Sequence, residues 1–167
     1  MINKISNANV YINGVNLLGK LEEISLPTIK QKMSEFKALG MYATVELPVG
    51  LEKLEAKLKW NSFYPEVLAG ANLTTATNLV LRANVEKYNP GGQLTQEPLT
   101  CIINGVFKSI PLGTFKPGDK VSGIEHTMSV YYLKQAIGDL QIVEVDVWNS
   151  ILAIGAIDQL FMFKVNQ

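Results

Sequence analysis

Strict alternation at the centre of this chain limits its fold more than any other feature. From Leu79 onward, Leu79, Leu81, Ala83 and Val85 point one way while Arg82, Asn84 and Glu86 point the other. Period 2 is the repeat of extended backbone, so the segment reads as a strand with one buried face. Asn89-Pro90-Gly91-Gly92 then breaks the pattern, because proline fixes φ and the two glycines permit positive φ. The strand pattern resumes over Leu99 to Phe107, which predicts a hairpin with a loose connection.

The same period recurs elsewhere. Val143, Val145 and Val147 share one face and Glu144 and Asp146 the other, giving a strand with a core side and an acidic side. Before the Gly138-Asp139 turn, Met128, Val130 and Tyr132 alternate with Ser129, Tyr131 and Leu133. Both faces there are largely apolar, as in a strand covered on both sides or lying in an interface. Near the start, Asn9 to Ile12 and Val15 to Leu26 carry β-branched and aromatic residues between Gly and Asn punctuation. The chain is therefore expected to be mainly β, with a meander of at least four strands in its second half.

Three segments depart from that picture. Pro65 to Ala69 reads as a short helix: proline suits the first turn, Glu66 suits the positive end of the helix dipole, and Gly70 can terminate it. Leu51 to Lys59 consists of strong helix formers, yet Leu54, Ala56, Leu58 and Trp60 alternate against Glu55, Lys57 and Lys59. Strand is the reading chosen there, since tertiary context outweighs propensity. Between Leu26-Pro27 and Gly40-Met41 no clean period appears, and Lys30, Lys32 and Lys37 stand against a single Glu35. This reads as a long basic arm or loop at about 27–45, with an ordinary solvated loop as the alternative. No internal repeat or low-complexity stretch divides the 167 residues, which read as a single domain, 1–167.

Composition narrows the function. Fifteen basic and fifteen acidic residues cancel, which argues against a nucleic-acid binder relying on a basic surface. Charged residues make up only 18% of the chain, so part of its apolar surface is expected to meet other protein. No secretory signal is visible, which places the mature start near Met1. Ile151 to Phe163, interrupted by Asp158 and Gln159, is too short for a membrane span. Cys101 is the only cysteine and reads as a small buried apolar side chain.

The residue types that catalysis needs do not assemble into a set. His126 is the single histidine and reads as a structural surface or interface imidazole, without the Ser or Cys partner of a nucleophilic triad. Cys101 and His126 cannot supply a zinc site by themselves. Glu144 and Asp146 lie on one strand face at a separation suited to a hard cation, but no third acidic residue accompanies them, and a solvated face is the preferred reading. Glu22-Glu23 forms another acidic pair of the same ordinary kind. The glycines at Gly91-Gly92 and Gly113 to Gly118 lack the spacing of phosphate-binding loops and read as turns. No enzyme activity, metal or cofactor is expected.

A series of motifs adds a different kind of evidence. Leu26-Pro27, Gly40-Met41, Gly50-Leu51-Glu52-Lys53-Leu54-Glu55, Pro65-Glu66-Val67-Leu68-Ala69-Gly70 and Leu79-Val80-Leu81-Arg82 are followed by Lys116-Pro117-Gly118-Asp119-Lys120, Tyr131-Tyr132-Leu133 and Val143-Glu144-Val145-Asp146-Val147. In order and spacing, over about residues 8–160, they resemble the major tail tube proteins of contractile-tailed bacteriophages and of R-type tailocins. Gly155, Asp158 and Leu160 are similar to that family's Gly-x-x-Asp-x-Leu ending, whereas Phe161 to Gln167 is more apolar than expected there and suggests a last strand at an interface edge.

The resemblance implies a small antiparallel β-sandwich or partly open β-barrel with one short α-helix. It further implies hexameric rings that stack into a hollow tube inside a sheath, in a virion tail assembled in the cytoplasm of the bacterial host. The implied partners are other copies of the chain and the sheath, baseplate and tail-terminator proteins, while DNA passes through the tube without specific binding. On that reading Glu144 and Asp146, and less directly Glu52 and Glu55, are candidates to line the lumen, where like charge repels DNA. Lys53, Lys57 and Lys59 offset the second pair. Lys30, Lys32, Glu35 and Lys37 belong to the candidate inter-ring arm. The alternatives are a tube subunit of a bacterial contractile secretion system and a small-ligand-binding β-barrel.

Overall fold

The computed structural model describes residues 2–92, 94–118, 124–155, 157–161 and 165. Asp119 and Lys120 of the Lys116–Lys120 motif, and most of the apolar carboxy-terminal segment read as an edge strand, lie outside the described residues. In chain order the elements are β1 (Ile2–Ile12), β2 (Val15–Asn16), β3 (Leu21–Ser25), β4 (Gln31–Phe36), β5 (Val45–Leu51), β6 (Leu54–Trp60) and helix α1 (Pro65–Gly70). They continue with β7 (Thr77–Tyr88), β8 (Leu94–Ser109), β9 (Glu125–Ile137), β10 (Leu140–Asp146), β11 (Ile151–Ile154) and β12 (Ile157–Asp158).

The alternating segment at Leu79 forms the heart of β7. It pairs with β8 in an unbroken register from Thr77↔Gly105 to Tyr88↔Leu94, which is the expected hairpin. The antiparallel order β12-β11-β10-β9-β8-β7-β1-β2 contains the expected meander and belongs to a ten-stranded sheet. β9 forks this sheet. One of its edges pairs with β8 throughout, whereas the other pairs with β6 over Glu125 to Val130 and with β10 over Tyr132 to Ile137. β3 then extends β6, and β4 with β5 forms a separate two-stranded sheet. The mainly β fold with one short helix agrees with expectation, and the sheet is open, not closed into a barrel.

The fork coincides with a β-bulge. Between Val130 and Tyr132 the β8 partner moves only from Gly105 to Asn104, leaving Tyr131 as the extra residue. A bulge bends its strand and shifts the phase of the faces beyond it. Accordingly His126, Met128 and Val130 are buried, but the next buried residue is Leu133 and not Tyr132. This corrects the expectation that Met128, Val130 and Tyr132 share a face. Gly105 permits the close approach: a Cβ there would lie 2.0 Å from the backbone oxygen of Ser129.

The core gathers on one side of the folded sheet. Val10, Ile12, Leu79, Leu81, Cys101, Ile103, Phe107, Met128, Leu133, Val145 and Leu152 meet there, with Val67 of α1 above them. Leu54, Ala56, Leu58 and Trp60 of β6 join them, so strand prevails over helix propensity because β3 and β9 occupy both β6 edges. α1 has Pro65 in its first turn and Glu66 beside it, as expected. Gly70 serves packing more than termination: a Cβ would lie 2.8 Å from Ile12 Cγ2, and the extended residue Ala71 caps the helix.

Two further expectations change. The arm is not an irregular loop, because β4 and β5 pair from Gln31↔Leu51 to Phe36↔Val45 as a hairpin. His126 is no surface imidazole; it is 1% exposed, with Trp60 and Phe107 edge-on to its ring. Trp60 Nε1 donates to His126 Nδ1 at 2.8 Å, which places the proton of the neutral ring on Nε2. Burial lowers the pKa of His126 below the ordinary 6.5.

Gly105→Ala is expected to destabilise the chain by about 2 kcal/mol or more, since the backbone must move to admit the methyl group. Gly91→Ala, where a Cβ meets nothing within 4 Å, is expected to change stability little. Denaturant midpoints of the two variants test the contrast. For His126, a folded pKa below the unfolded one means that its contribution is intact above about pH 6.5 and is lost as pH falls. Urea titrations between pH 7.5 and 5 should show stability declining below 6.5, and His126→Leu should flatten that decline.

Candidate assembly surfaces

Two surfaces stand out: the sheet face opposite the core and the β4–β5 arm. Side chains directly opposite across antiparallel strands share a face, so the register itself assembles the first surface. One row runs Tyr11, Val80, Ile102, Lys134, Glu144 and Ala153 across β1, β7, β8, β9, β10 and β11. A neighbouring row holds Asn104, Tyr132 and Asp146. Another holds Asn9, Arg82, Thr100 and Ala136.

Glu144 and Asp146 thus sit together on the polar side of β10, as the alternation predicts. Val145 is fully buried and Val143 packs against the core, but Val147 follows the strand and is half exposed. The expected three-valine core face is therefore a two-valine face, because the chain turns at Asp146. Neither carboxylate is simply solvated. Glu144 accepts hydrogen bonds from the Tyr132 hydroxyl and from Gln141 Nε2, each at 3.0 Å. Burial, and then the bond to Glu144, push the Tyr132 phenol up to about 12.

Asp146 organises the β10–β11 turn. Its Oδ1 accepts the backbone N–H groups of Trp148 and Asn149 at 3.0 Å, and its Oδ2 accepts Asn149 Nδ2 at 2.7 Å. This Asx-type turn holds Trp148 edge-on to Tyr131 with 77% of the tryptophan exposed. The periodicity did not reveal the cations that share the face. Lys134 lies directly opposite Glu144, and the Arg82 guanidinium stacks 5.5 Å from the Tyr11 ring centre.

Glu55 and Glu52 differ from that pair. Glu55 lies on the non-core face of β6, and Lys108 and Lys53 bond its carboxylate, holding its pKa below the usual range. Glu52 sits at the β5–β6 junction, where its backbone N–H donates to the Lys30 carbonyl at 2.9 Å. That bond ties the root of the arm together. Lys32 faces Gly50 and Glu35 faces Glu46 along the hairpin, while Lys37 stands just beyond β4. Met33, Phe36, Val45, Leu47 and Val49 are exposed on the arm, and Leu39 and Tyr42 at its tip are entirely exposed, at 106% and 102%. Periodicity does not find these residues, because a hairpin exposed on both faces carries no burial pattern.

Among the described residues no group of three or more His, Cys, Asp and Glu side chains could hold a metal ion, and no helix is long and apolar enough to cross a membrane. Cys101 is buried, and desolvation pushes its thiol up to about 11, which leaves it poorly nucleophilic. Residues 2–166 match the family model of the phage tail tube protein FII. The chain belongs to that family.

Similarity to individual tail tube proteins spans nearly the whole length. The chain is 21% identical to the tail tube protein of Escherichia phage P2 over 168 residues, covering 99% of this chain and 97% of that protein. It is 25% identical to the major tail tube protein of Serratia phage KSP20 over 150 residues, covering 89% and 85%. In fold it resembles a chain from the cryo-EM structure of an extracellular contractile injection system, the PVC sheath–tube complex in its extended state. That likeness has a TM-score of 0.52 at 13% identity and covers 78% of this chain and 88% of the other. Phage tail tube proteins are structural components of the virion tail.

Burial of Tyr132, and then its bond to Glu144, give this tail tube chain an alkaline signature. With the folded pKa raised to about 12, above the ordinary 10.0, its contribution is intact below pH 10 and is lost as pH rises toward 12. Tyr132→Phe is expected to reduce the loss of stability between pH 9 and 11.5, measured by thermal unfolding. An unchanged alkaline slope would show that the bond contributes nothing.

Proposed function

We propose that this chain is the inner-tube subunit of a contractile phage tail or tailocin, forming six-membered rings that stack into a tube through which DNA passes unbound. The observation that carries the proposal is the β4–β5 arm: a projecting hairpin with exposed apolar residues on a member of a tube-forming family. An exposed apolar patch of this kind marks a protein contact. Among the described residues, the outer edges of β2 and β3 pair with no further strand, which suits them to lateral contact between neighbours. Heterologous contacts that close by rotation make rings, and their repetition along the axis makes a filament.

The arm is assigned to the contact between rings. Its Lys30, Lys32 and Lys37 suit acidic groups on the adjacent ring, and its length suits reaching across a ring boundary. The polar sheet face with Glu144 and Asp146 is assigned to the lumen. Lys134 and Arg82 moderate its charge, which suits a wall that neither traps DNA nor strongly repels it. Glu55, engaged by two lysines, is the weaker lumen candidate, and so is Glu52 at the arm root. A sheath outside the tube, a baseplate, a tail terminator and assembly in the host cytoplasm complete the proposal. Membership of a family of structural tail tube proteins supports a role without catalysis.

The fold likeness to the injection-system tube favours, as a second reading, a tube that carries protein cargo in place of DNA. The open sheet counts against a ligand-enclosing barrel. Electron microscopy of the purified chain is expected to show rings or tubes, and deleting Lys30 to Gly40 should abolish stacking while leaving monomers or rings. Unchanged tubes after that deletion would remove the arm from the contact. Glu144→Lys should leave tubes intact but slow or arrest DNA ejection, and a reconstruction with Glu144 on the outer surface would end the lumen assignment.

A further inference from the structure

A groove of about 750 Å³ opens at the root of the arm. It lies between Val49 and Leu51 of β5, Val130 and Tyr131 at the bulge of β9, and Val147 and Ile151 around the β10–β11 turn. Its walls are mainly apolar, and a volume of this size accepts several aliphatic or aromatic side chains. The same chain carries Leu39 and Tyr42, entirely exposed at the arm tip.

We propose that this groove receives the arm tip of a second copy of the chain, so that Leu39 and Tyr42 of one subunit pack against Val147 and the Tyr131 bulge of the next. This rests on the assignment of the arm to the contact between rings and names the receptor that the arm enters. A hairpin cannot enter its own root. Gln31, the first residue of β4, lines the groove, and the six residues of β4 carry the chain about 20 Å away at about 3.3 Å per residue. An arm tip that enters this groove must therefore come from another molecule. Charge agrees: Glu52 and Asp146 outnumber Lys53 in the groove lining, while Lys30, Lys32 and Lys37 outnumber Glu35 and Glu46 along the arm.

Because tip and groove lie at opposite ends of one hairpin, the contact is head-to-tail and propagates, displacing each copy from the last by at least about 20 Å along the arm. The β9 bulge thereby acquires a role outside its own subunit, since the backbone that it bends forms one wall of the receptor.

The test uses the full chain carrying Tyr42→Cys and Val147→Cys, assembled into tubes and treated with diamide. Two thiols lose their protons and two electrons to form a disulfide, while the diazene oxidant is reduced to the hydrazine. Cys101 is buried and does not compete. The expected product on non-reducing gels is a ladder of dimers, trimers and longer chains, because every copy carries one tip and one groove. Each single-cysteine variant should give no ladder. Tubes that form without a ladder overturn the proposal, and so do products confined to intrachain crosslinks or to dimers.

Leu39→Asp and Val147→Asp, with folding checked by circular dichroism, should each lower the polymerised fraction about tenfold, because either charge would be buried in the contact. If Leu39→Asp blocks stacking while Val147→Asp does not, and no ladder forms, the arm assignment stands and the groove assignment falls. If deletion of the whole arm leaves tubes unchanged, the arm assignment itself falls.

Discussion

The structure depends on what happens to β9 between Val130 and Tyr132. Up to Val130 the strand joins β8 to β6; beyond Tyr132 it joins β8 to β10. An unbulged strand would keep a single neighbour on that edge, and β6 would compete with β10 for it. The extra residue at Tyr131 bends the strand and re-phases its faces, and Gly105 on β8 leaves room for the backbone to come close. Buried Val145 and Leu133 then complete one core together with the residues of β6. The absent methyl group on Gly105 thus leaves room for the backbone of the strand that the two branches share.

The same shift hands Tyr132 to the polar face, where it holds Glu144. A carboxylate that accepts two hydrogen bonds has a fixed direction. Asp146 is likewise committed to the turn that carries Trp148. The acidic character of this face therefore comes from groups that also brace β10 and its turn. Lys134 and Arg82 lie among them, so charge on this surface is mixed in sign and spread over three strands of the sheet, β7, β9 and β10.

Alternation made β7, β8, β6 and β10 legible in the sequence, because each carries one buried face. β6 was legible even against its helical composition, since Leu54, Ala56, Leu58 and Trp60 kept a period that no helix could bury. The failures occur where one-sided burial gives no information. The arm strands β4 and β5 are exposed on both faces; β4 falls within the stretch at about 27–45 that reads as a long basic arm or loop, and β5 begins where that stretch ends. The bulge inverted the apparent face of Tyr132, and His126 became a core residue through a bond to Trp60, sixty-six positions away in the chain. Glu144 and Asp146 could be placed on a shared face, but their ties to Tyr132, Gln141 and Asn149 depend on register and turn geometry.

The arm shows how an apolar surface can be strongly sticky without inviting disordered aggregation. Its exposed tip would bind any apolar patch if such patches were common, yet on the proposed contact its receptor is the groove at the arm root, a place its own tip cannot reach. Glu35 and Glu46 face each other across the hairpin, a like-charge pair that penalises another hairpin stacking flat against that side. Such repulsion discourages arms from pairing with arms and leaves entry by the tip as the favoured mode. On the proposed contact, directionality follows from shape and charge together: a hairpin with an exposed apolar tip, a recess at its root, and like-charged flanks would give contacts that run one way along an axis.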